Sequence, residues 1–143
     1  MNIELIKAKD EDIVFLLELR KQTMIEHLEK AGVFLSEDGH VSRVKFHFNN
    51  SHVIHLNDSR IGVLKYIETN NSIEILQFQI LPKYQGKGIG NYLLNYIIQL
   101  SRDANKNVRL KVLKENPAKF LYERNGFKIY DEDQYEFHME FIK

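Results

Sequence analysis

The sequence has no cysteine among its 143 residues and only two prolines. Without cysteine there can be no disulfide, no thiolate metal ligand and no cysteine nucleophile. No proline- or serine-rich linker, internal repeat or low-complexity segment interrupts the chain. A chain of this length buries enough surface to hold a core without a metal or a disulfide. We therefore predict a single domain over residues 1–143.

The sequence also lacks an excess of charge of either sign, because 20 basic residues balance 20 acidic ones. Binding to a phosphate backbone needs a basic excess, so nucleic acid is not an expected partner. No apolar run approaches the roughly 18 residues that a membrane-spanning helix needs. The first residues carry an acid at Glu4 and no apolar stretch, which argues against a signal peptide. These absences predict a cytoplasmic protein with no membrane partner.

The chain alternates between strand-like and helix-like segments. Short runs that alternate apolar and polar residues predict strands, and apolar stripes with helical spacing predict helices. The predicted strands lie at residues 2–7, 52–56, 60–68, 73–81, 108–113, 127–130 and 135–142. The predicted helices run from an N-cap at Asp10 to Gly32, over residues 39–49, from a glycine-rich turn to about residue 104, and over residues 117–125. This order predicts an α/β fold whose sheet is largely antiparallel at first and mixed later.

The glycine-rich turn follows the strand that ends at Pro82, and it reads Gln85-Gly86-Lys87-Gly88-Ile89-Gly90. Three glycines at alternate positions let the backbone approach a ligand closely and take positive φ angles. Because the turn opens a helix, its N–H groups and the helix dipole converge on one place, which suits a pyrophosphate. The side chain of Lys87 can add a positive charge.

Two other phosphate-binding loops and a plain tight turn compete with this interpretation. A P-loop needs Ser or Thr after its Gly-Lys pair, but Gly88 follows Lys87. A dinucleotide fingerprint needs another glycine three residues after Gly88, where Asn91 stands. The next strand ends in Leu113-Lys114-Glu115, a poor match for the acidic residue of that motif. Two alternatives to an acyl-CoA site therefore remain. The turn could bind another nucleotide, or its glycines could serve only the packing of the helix on the strand.

A second segment lies about 30 residues further on and reads Asn116-Pro117-Ala118-Lys119-Phe120-Leu121-Tyr122-Glu123-Arg124-Asn125-Gly126-Phe127. Together with the turn, it resembles the GCN5-related N-acetyltransferase superfamily, whose signature is Gln or Arg, two residues, Gly, one residue, then Gly or Ala. The Asn-to-Tyr spacing is one residue shorter than in many members, which leaves the contact of Asn116 open. The resemblance implies a mixed, mostly antiparallel sheet of six or seven strands, flanked by about four helices and splayed beside the acetyl-CoA-binding strand.

The resemblance implies an enzyme that transfers an acetyl group from acetyl-CoA to a primary amine of a small molecule or peptide, with a homodimer as a possible assembly. The backbone of Phe78 and Ile80 would pair with the pantetheine arm, and Asn116 would touch the pantetheine or the phosphates. The amides that would hold the pyrophosphate belong to consecutive residues: Gln85, Gly86, Lys87, Gly88, Ile89, Gly90 and Asn91. The absence of cysteine favours direct attack by the amine in a ternary complex.

Two further residues have a catalytic and a structural interpretation. The resemblance places Tyr122 near the thioester sulfur, where a phenol could protonate the leaving thiolate; the alternative is a packed core tyrosine. Glu74 lies eleven residues before Gln85, the separation of the glutamate base in the histone-modifying branch of the superfamily. The alternative for Glu74 is a solvated charge near the start of a strand.

The six histidines show no i, i+4 zinc pair with a glutamate between, so no metal is expected. His27 lies on the first predicted helix, which borders the acceptor site in the superfamily, and it is either an acceptor contact or a surface histidine. A non-catalytic acyl-CoA-binding sensor or scaffold of the same fold is the alternative to an enzyme. The sequence does not identify the acceptor amine.

Overall fold

The structure is a computed structural model and describes residues 2–143. Its backbone contacts form two compact units. The first unit contains the chain up to Tyr66 together with Gln77–Tyr84. The second unit contains Ile67–Leu76 together with Gln85–Lys143. The single domain predicted from the sequence stays a prediction.

Seven strands and four α-helices alternate along the described residues, as the resemblance implies. The strands are β1 Ile3–Lys7, β2 Ser51–Leu56, β3 Ser59–Glu68, β4 Ser72–Ile80, β5 Asn107–Leu113, β6 Lys128–Glu132 and β7 Glu136–Phe141. The helices are α1 Ile13–Lys30, α2 Glu37–Lys45, α3 Ile89–Ala104 and α4 Ala118–Arg124. None of the helices in residues 2–143 is both long and apolar enough to cross a membrane.

The strands hydrogen-bond in the order β1-β2-β3-β4-β5-β7-β6. The pairs β1–β2, β2–β3, β5–β7 and β6–β7 are antiparallel, and β4–β5 is parallel. The prediction of a mixed, mostly antiparallel sheet is therefore confirmed. A parallel pair needs a crossover connection, and α3 provides it between β4 and β5.

The predicted elements are all present, but the starts of the first two helices were predicted wrongly. Asp10 does not cap α1; it begins a short 3-10 turn, and α1 starts only at Ile13. The helix α2 begins earlier than residue 39, because Oγ of Ser36 accepts a hydrogen bond from the Gly39 N–H at 3.1 Å. It ends at Lys45, well before residue 49, and the left-handed φ of 51° at His47 follows.

The core of the first unit lies where α1 and α2 pack on β2 and β3. Its buried apolar side chains are Ala8, Leu16, Leu19, Val44, Val53 and Val63. Each large apolar side chain buried in this way contributes roughly 1.5–3 kcal/mol relative to exposure. This packing fixes α2 over the first strands of the sheet.

A buried lysine on β3 holds the end of α2. Lys65 is 1% exposed, and its Nζ donates hydrogen bonds to the carbonyl oxygens of Arg43 and Val44 at 3.2 Å and to that of Phe46. Carbonyls at a helix end lack intrahelical partners and carry a partial negative charge. Burial, with a smaller contribution from the charge of Arg20, lowers the pKa of Lys65 to about 8.

The second unit is built around the amphipathic helix α3. Its apolar stripe of Leu93, Leu94, Ile97 and Ile98 is buried. Aromatic contacts continue this core, since Phe127 lies edge-on to Tyr122 and packs against Phe141.

We expect the free energy of unfolding to rise between about pH 8 and about pH 10 because of Lys65. The pKa of Lys65 is about 8 in the folded protein, but near ~10.4 in an unfolded chain. In this window the unfolded state binds more protons, so stability increases with pH. Urea unfolding of the wild type and of Lys65→Met at about pH 8 and about pH 10 measures this rise in stability. The rise should be smaller in Lys65→Met. The exposed Lys45→Met is the control, and an equal rise in all three proteins would contradict the lowered pKa.

Candidate active site

The parallel pairing of β4 with β5 stops before either strand ends. Ser72–Ile75 pair with Asn107–Leu110, whereas β4 continues to Ile80 and β5 continues to Leu113. Phe78 and Ile80 therefore lie beyond the residues of β4 that pair with β5. This is the stretch of β4 that the sequence resemblance assigns to a pantetheine arm.

Gly62 on β3 lets the backbone of β4 come close at this point. A Cβ atom on Gly62 would lie 2.3 Å from the carbonyl oxygen of Gln79 and 3.2 Å from the Cα of Ile80. Real Cβ atoms essentially never approach a heavy atom within 3.0 Å. Only glycine therefore allows β4 to follow this course next to Phe78 and Ile80.

The glycine-rich turn contains two left-handed glycines and leads into α3. The φ angle is +73° at Gly86 and +84° at Gly88, and an added Cβ would meet no atom within 4 Å at either position. At the start of α3, the Tyr92 N–H donates to the Gly88 carbonyl at 3.0 Å. The preceding N–H groups of the helix lack an intrahelical acceptor, and the helix dipole adds partial positive charge there. This arrangement is suited to bind a phosphate.

Gly90, the third glycine of the turn, and Asn91 both contact α4. A Cβ on Gly90 would lie 3.0 Å from Cδ2 of Leu121, so the absence of a side chain lets α3 and α4 approach. Asn125 donates from Nδ2 to Oδ1 of Asn91 at 2.8 Å and to the Leu121 carbonyl at 2.9 Å. Of the three glycines of the turn, only Gly90 is thus required for helix packing. Its contact and the Asn125–Asn91 bond hold α4 against the start of α3.

Asn116 and Tyr122 are the candidate site residues of the second segment. Oδ1 of Asn116 accepts a hydrogen bond from the Ala118 N–H at 2.9 Å, so the Asn116 side chain caps the start of α4. Tyr122 is 6% exposed, and its ring centroid lies 5.8 Å from that of Phe127. Burial raises the pKa of Tyr122 above its usual range. Its ring is therefore part of the core, while its phenol stays protonated at neutral pH.

Glu74, the candidate base, stands opposite Arg109 in the ladder between β4 and β5. Nε of Arg109 donates to Oε2 of Glu140 at 2.8 Å, and this bond is the main reason why the pKa of Arg109 is raised. The charge of Glu74 makes a smaller contribution to the same shift. Glu74 is thus half-buried beside a cation, in the part of β4 that is paired with β5.

His27 lies on α1 with a half-buried side chain, and its Nδ1 is buried with no hydrogen-bond partner among the described residues. Its role as an acceptor contact stays a prediction. Across residues 2–143, no three histidine or acidic side chains are grouped so that they could hold a metal ion.

Sequence reasoning missed two side-chain pairs that the fold brings together. Nε of Arg20 donates to Nδ1 of His40 at 3.1 Å, between α1 and α2. Nε2 of His138 lies 2.9 Å from Oδ2 of Asp133, and this hydrogen bond is the main cause that lowers the pKa of Asp133 to about 2. Asp133 and His138 lie on the predicted hairpin of β6 and β7, which could have suggested their pairing. No local pattern in the sequence points to the pair of Arg20 and His40.

A model of the acetyltransferase (GNAT) domain family matches residues 47–129. The match covers more than half of the chain, so the chain belongs to this family, as the sequence resemblance predicts. The fold agrees with the PaiA N-acetyltransferase from Thermoplasma acidophilum, solved in complex with coenzyme A, at a TM-score of 0.77. That alignment covers 100% of both chains at 24% identity and therefore shows a common fold.

Two curated relatives match part of the sequence. The [ribosomal protein bS18]-alanine N-acetyltransferase of Haemophilus influenzae is 37% identical over 81 residues, covering 48% of this chain and 56% of the relative. The acetyltransferase PseH of Campylobacter jejuni is 37% identical over 82 residues, covering 55% of this chain and 51% of the relative. The chain thus spans about half the length of the curated relatives that it matches.

We expect Gly62→Ala to destabilise the protein, because the new Cβ would meet the backbone oxygen of Gln79 at 2.3 Å. The backbone cannot rotate away as a side chain can. The free energy of unfolding should therefore fall by on the order of 1–3 kcal/mol, as at other overpacked sites. Urea unfolding measures it. Gly39→Ala is the control, because its Cβ would meet only side-chain atoms of the neighbouring turn, at 3.3 Å or more. A Gly62→Ala protein as stable as this control would contradict the close approach of β4.

Proposed function

We propose that the chain is an N-acetyltransferase that moves an acetyl group from acetyl-CoA to a primary amine of a small molecule or peptide. The observation that carries this proposal is the turn at the start of α3, with left-handed Gly86 and Gly88, inside the residues that match the acetyltransferase family. Both curated relatives are named as acetyltransferases, which supports it. Cytoplasmic location and a homodimer stay predictions.

The described residues fit the donor acetyl-CoA in chemical terms. The N–H groups of residues 85–91 at the positive end of α3 would hold its pyrophosphate, and the exposed Lys87 adds a positive charge. The backbone of β4 at Phe78 and Ile80 would bind the amide-rich pantetheine as an added strand does. Because Oδ1 of Asn116 caps α4, its Nδ2 is the group left to donate to the ligand.

The transfer needs one bond to form and one to break. The lone pair of a neutral amine forms the bond to the acetyl carbon, the carbon–sulfur bond breaks, and sulfur keeps the bonding electron pair. The amine nitrogen then loses a proton, and the sulfur gains one. A backbone N–H of β4 near Phe78 would polarise the acetyl oxygen during the attack.

Tyr122 and Glu74 are the candidates for the two proton steps. Burial raises the pKa of Tyr122, so the phenol keeps its proton while the amine reacts. The same burial makes full proton loss costly, so we propose that Tyr122 acts mainly by donating a hydrogen bond to the leaving sulfur. Glu74 would receive the amine proton, directly or through water, with Arg109 opposite it in the ladder.

We expect Gly88→Ala to weaken acetyl-CoA binding by roughly tenfold or more, because a left-handed residue with a Cβ shifts the N–H groups of the turn. Gly32→Ala is a matched control, since Gly32 has a similar φ of +81° and equally open surroundings at the end of α1. Both substitutions should cost roughly 1–2 kcal/mol of stability. Isothermal titration with acetyl-CoA separates them, and equal affinities of the two variants would contradict the phosphate role of the turn.

We expect Tyr122→Phe to lower kcat on the order of 100-fold while KM for acetyl-CoA changes little. The substitution removes only the hydroxyl, so the packing of the ring against Phe127 is retained. Tyr96→Phe, on the exposed side of α3, is the matched control. Thiol release with a panel of amines is the readout, and full turnover by Tyr122→Phe would rule out the proposed role.

The same assays separate the enzyme from the alternatives. A wild-type protein that binds acetyl-CoA but acetylates no amine of a broad panel would be a non-catalytic acyl-CoA-binding module. A thermal shift produced by ATP or NAD and not by acetyl-CoA would instead identify a nucleotide-binding protein.

A further inference from the structure

Arg20 on α1 carries a buried charge that no acidic side chain neutralises. Its side chain is 7% exposed, and within residues 2–143 none of the observed ion pairs includes it. Arg43 adds a further positive charge nearby, and burial together with this charge lowers the pKa of Arg20 to about 10. A buried cation without an anion is costly, so its retention calls for a compensating group.

The single hydrogen bond of Arg20 determines the proton position on His40. A guanidinium Nε–H always carries its proton, so Nδ1 of His40, at 3.1 Å, must be the acceptor. The proton of the neutral imidazole is therefore on Nε2, which becomes a donor. Neither Nη nitrogen of Arg20 nor Nε2 of His40 is among the fully buried polar atoms that lack a partner. These donors thus keep a small exposed area within two nearly buried side chains.

His40 lines a small cavity between the end of α1 and the start of α2. The cavity has a volume of about 110 Å³, and its apolar walls include Ile25, Leu28 and Val33. A water molecule occupies about 30 Å³ of liquid, so this space suits a group of a few heavy atoms. The one acidic lining residue, Glu29, is exposed to solvent. The cavity wall therefore combines apolar side chains with His40.

The helix α2 is joined to the part of β4 that the proposed function assigns to the donor. Nε2 of Gln77, next to Phe78, donates to the Arg43 carbonyl at 3.2 Å. His40 precedes Arg43 by three residues on α2, which is ~4.5 Å along a helix axis. Lys65 holds the same helix end through the carbonyls of Arg43 and Val44. His40 thus lies about one helical turn from the residue of α2 that contacts Gln77.

We propose that Arg20 and His40 form a carboxylate-binding subsite for the acceptor, with the apolar part of the acceptor in the adjacent cavity. The inference rests on the proposed transferase function and names the acceptor class: an amine that also carries a carboxylate. A carboxylate can accept from the Nη groups of Arg20, whose Nε is bonded to His40, and it supplies the missing negative charge. The carboxylate belongs either to a free amino acid or to an acidic side chain of a peptide.

The first experiment measures binding and needs no turnover. NMR of the imidazole nitrogens follows His40 during titration with N-acetyl-leucine and with N-acetyl-leucinamide, which lacks the charge. A second pair, the amidated peptides Ala-Asp-Ala and Ala-Asn-Ala, tests a side-chain carboxylate. We expect an acid to shift the His40 Nε2 signal and its amide to bind at least tenfold more weakly. Equal binding of acid and amide in both pairs would overturn the proposal.

The variants Arg20→Met and Lys21→Met form a matched pair on α1. Lys21 is the neighbouring cation and also joins α1 to α2, through a 2.8 Å ion pair with Glu37, but its side chain is 30% exposed. Arg20→Met should abolish the preference for acids, whereas Lys21→Met should retain it. Arg20→Lys, which keeps the charge and loses the planar fork, should retain part of it. Loss of the preference in both methionine variants would indicate a structural effect of joining the helices and would overturn the proposal.

Kinetics separate this inference from the proposed function. The ratio of kcat/KM for leucine over leucinamide should fall at least tenfold in Arg20→Met, while KM for acetyl-CoA stays unchanged. A folded Arg20→Met protein is expected, because replacing a buried unpaired charge with an apolar side chain is often stabilising; thermal unfolding checks this. If no amine is acetylated, the proposed function fails while the binding experiment still decides the subsite. If amines are acetylated without any preference for carboxylates, the subsite fails alone.

Discussion

The positive end of α3 is the constraint on which the candidate donor site depends. A helix can present its first N–H groups to a ligand only if the preceding chain turns away from them, and the left-handed angles of Gly86 and Gly88 achieve this. The buried stripe of α3 then fixes the direction of the helix, and the bond between Asn125 and Asn91 fixes its first turn against α4. The proposed phosphate contacts and the packing of α4 therefore involve neighbouring residues, Gly86 and Gly88 for the first and Gly90 and Asn91 for the second.

The sequence predicted features that follow from local physical rules. The glycine-rich turn, the helical spacing of the apolar residues in α3 and the end of the first helix at Gly32 all depend on neighbours within a few positions. The two incorrect helix starts have different origins. Before α1 the chain makes a 3-10 turn over Asp10–Asp12, in which Oδ2 of Asp12 accepts from the Lys9 N–H at 2.8 Å, and no side chain caps α1. Before α2 the cap is Ser36, three residues ahead of the predicted start.

The features that sequence reasoning missed depend on pairing between distant segments. Gly62 reads as an unremarkable glycine in a strand until the Gln79 carbonyl of the neighbouring strand is placed beside it. Lys65 reads as a surface lysine, because nothing near it in sequence shows that the carbonyls of α2 will surround its ammonium group. For the same reason, Glu74 and Tyr122 had two interpretations each: the residue type fits catalysis, but the environment depends on the fold.

Ion pairs in the second unit contrast with the buried cations of the first. Arg109 has Glu140 and Lys106 has Glu68, and these pairs at the surface contribute little to stability. Arg20 and Lys65 are both nearly fully buried, and their observed acceptors are neutral: an imidazole nitrogen and three backbone carbonyls. For Lys65 the partial negative charge of a helix end offsets part of the desolvation cost. Arg20 has no such dipole among its observed partners, so a core selected for stability alone would favour methionine or leucine at this position. An anionic ligand at the proposed subsite would supply the compensation that Arg20 lacks among its observed partners.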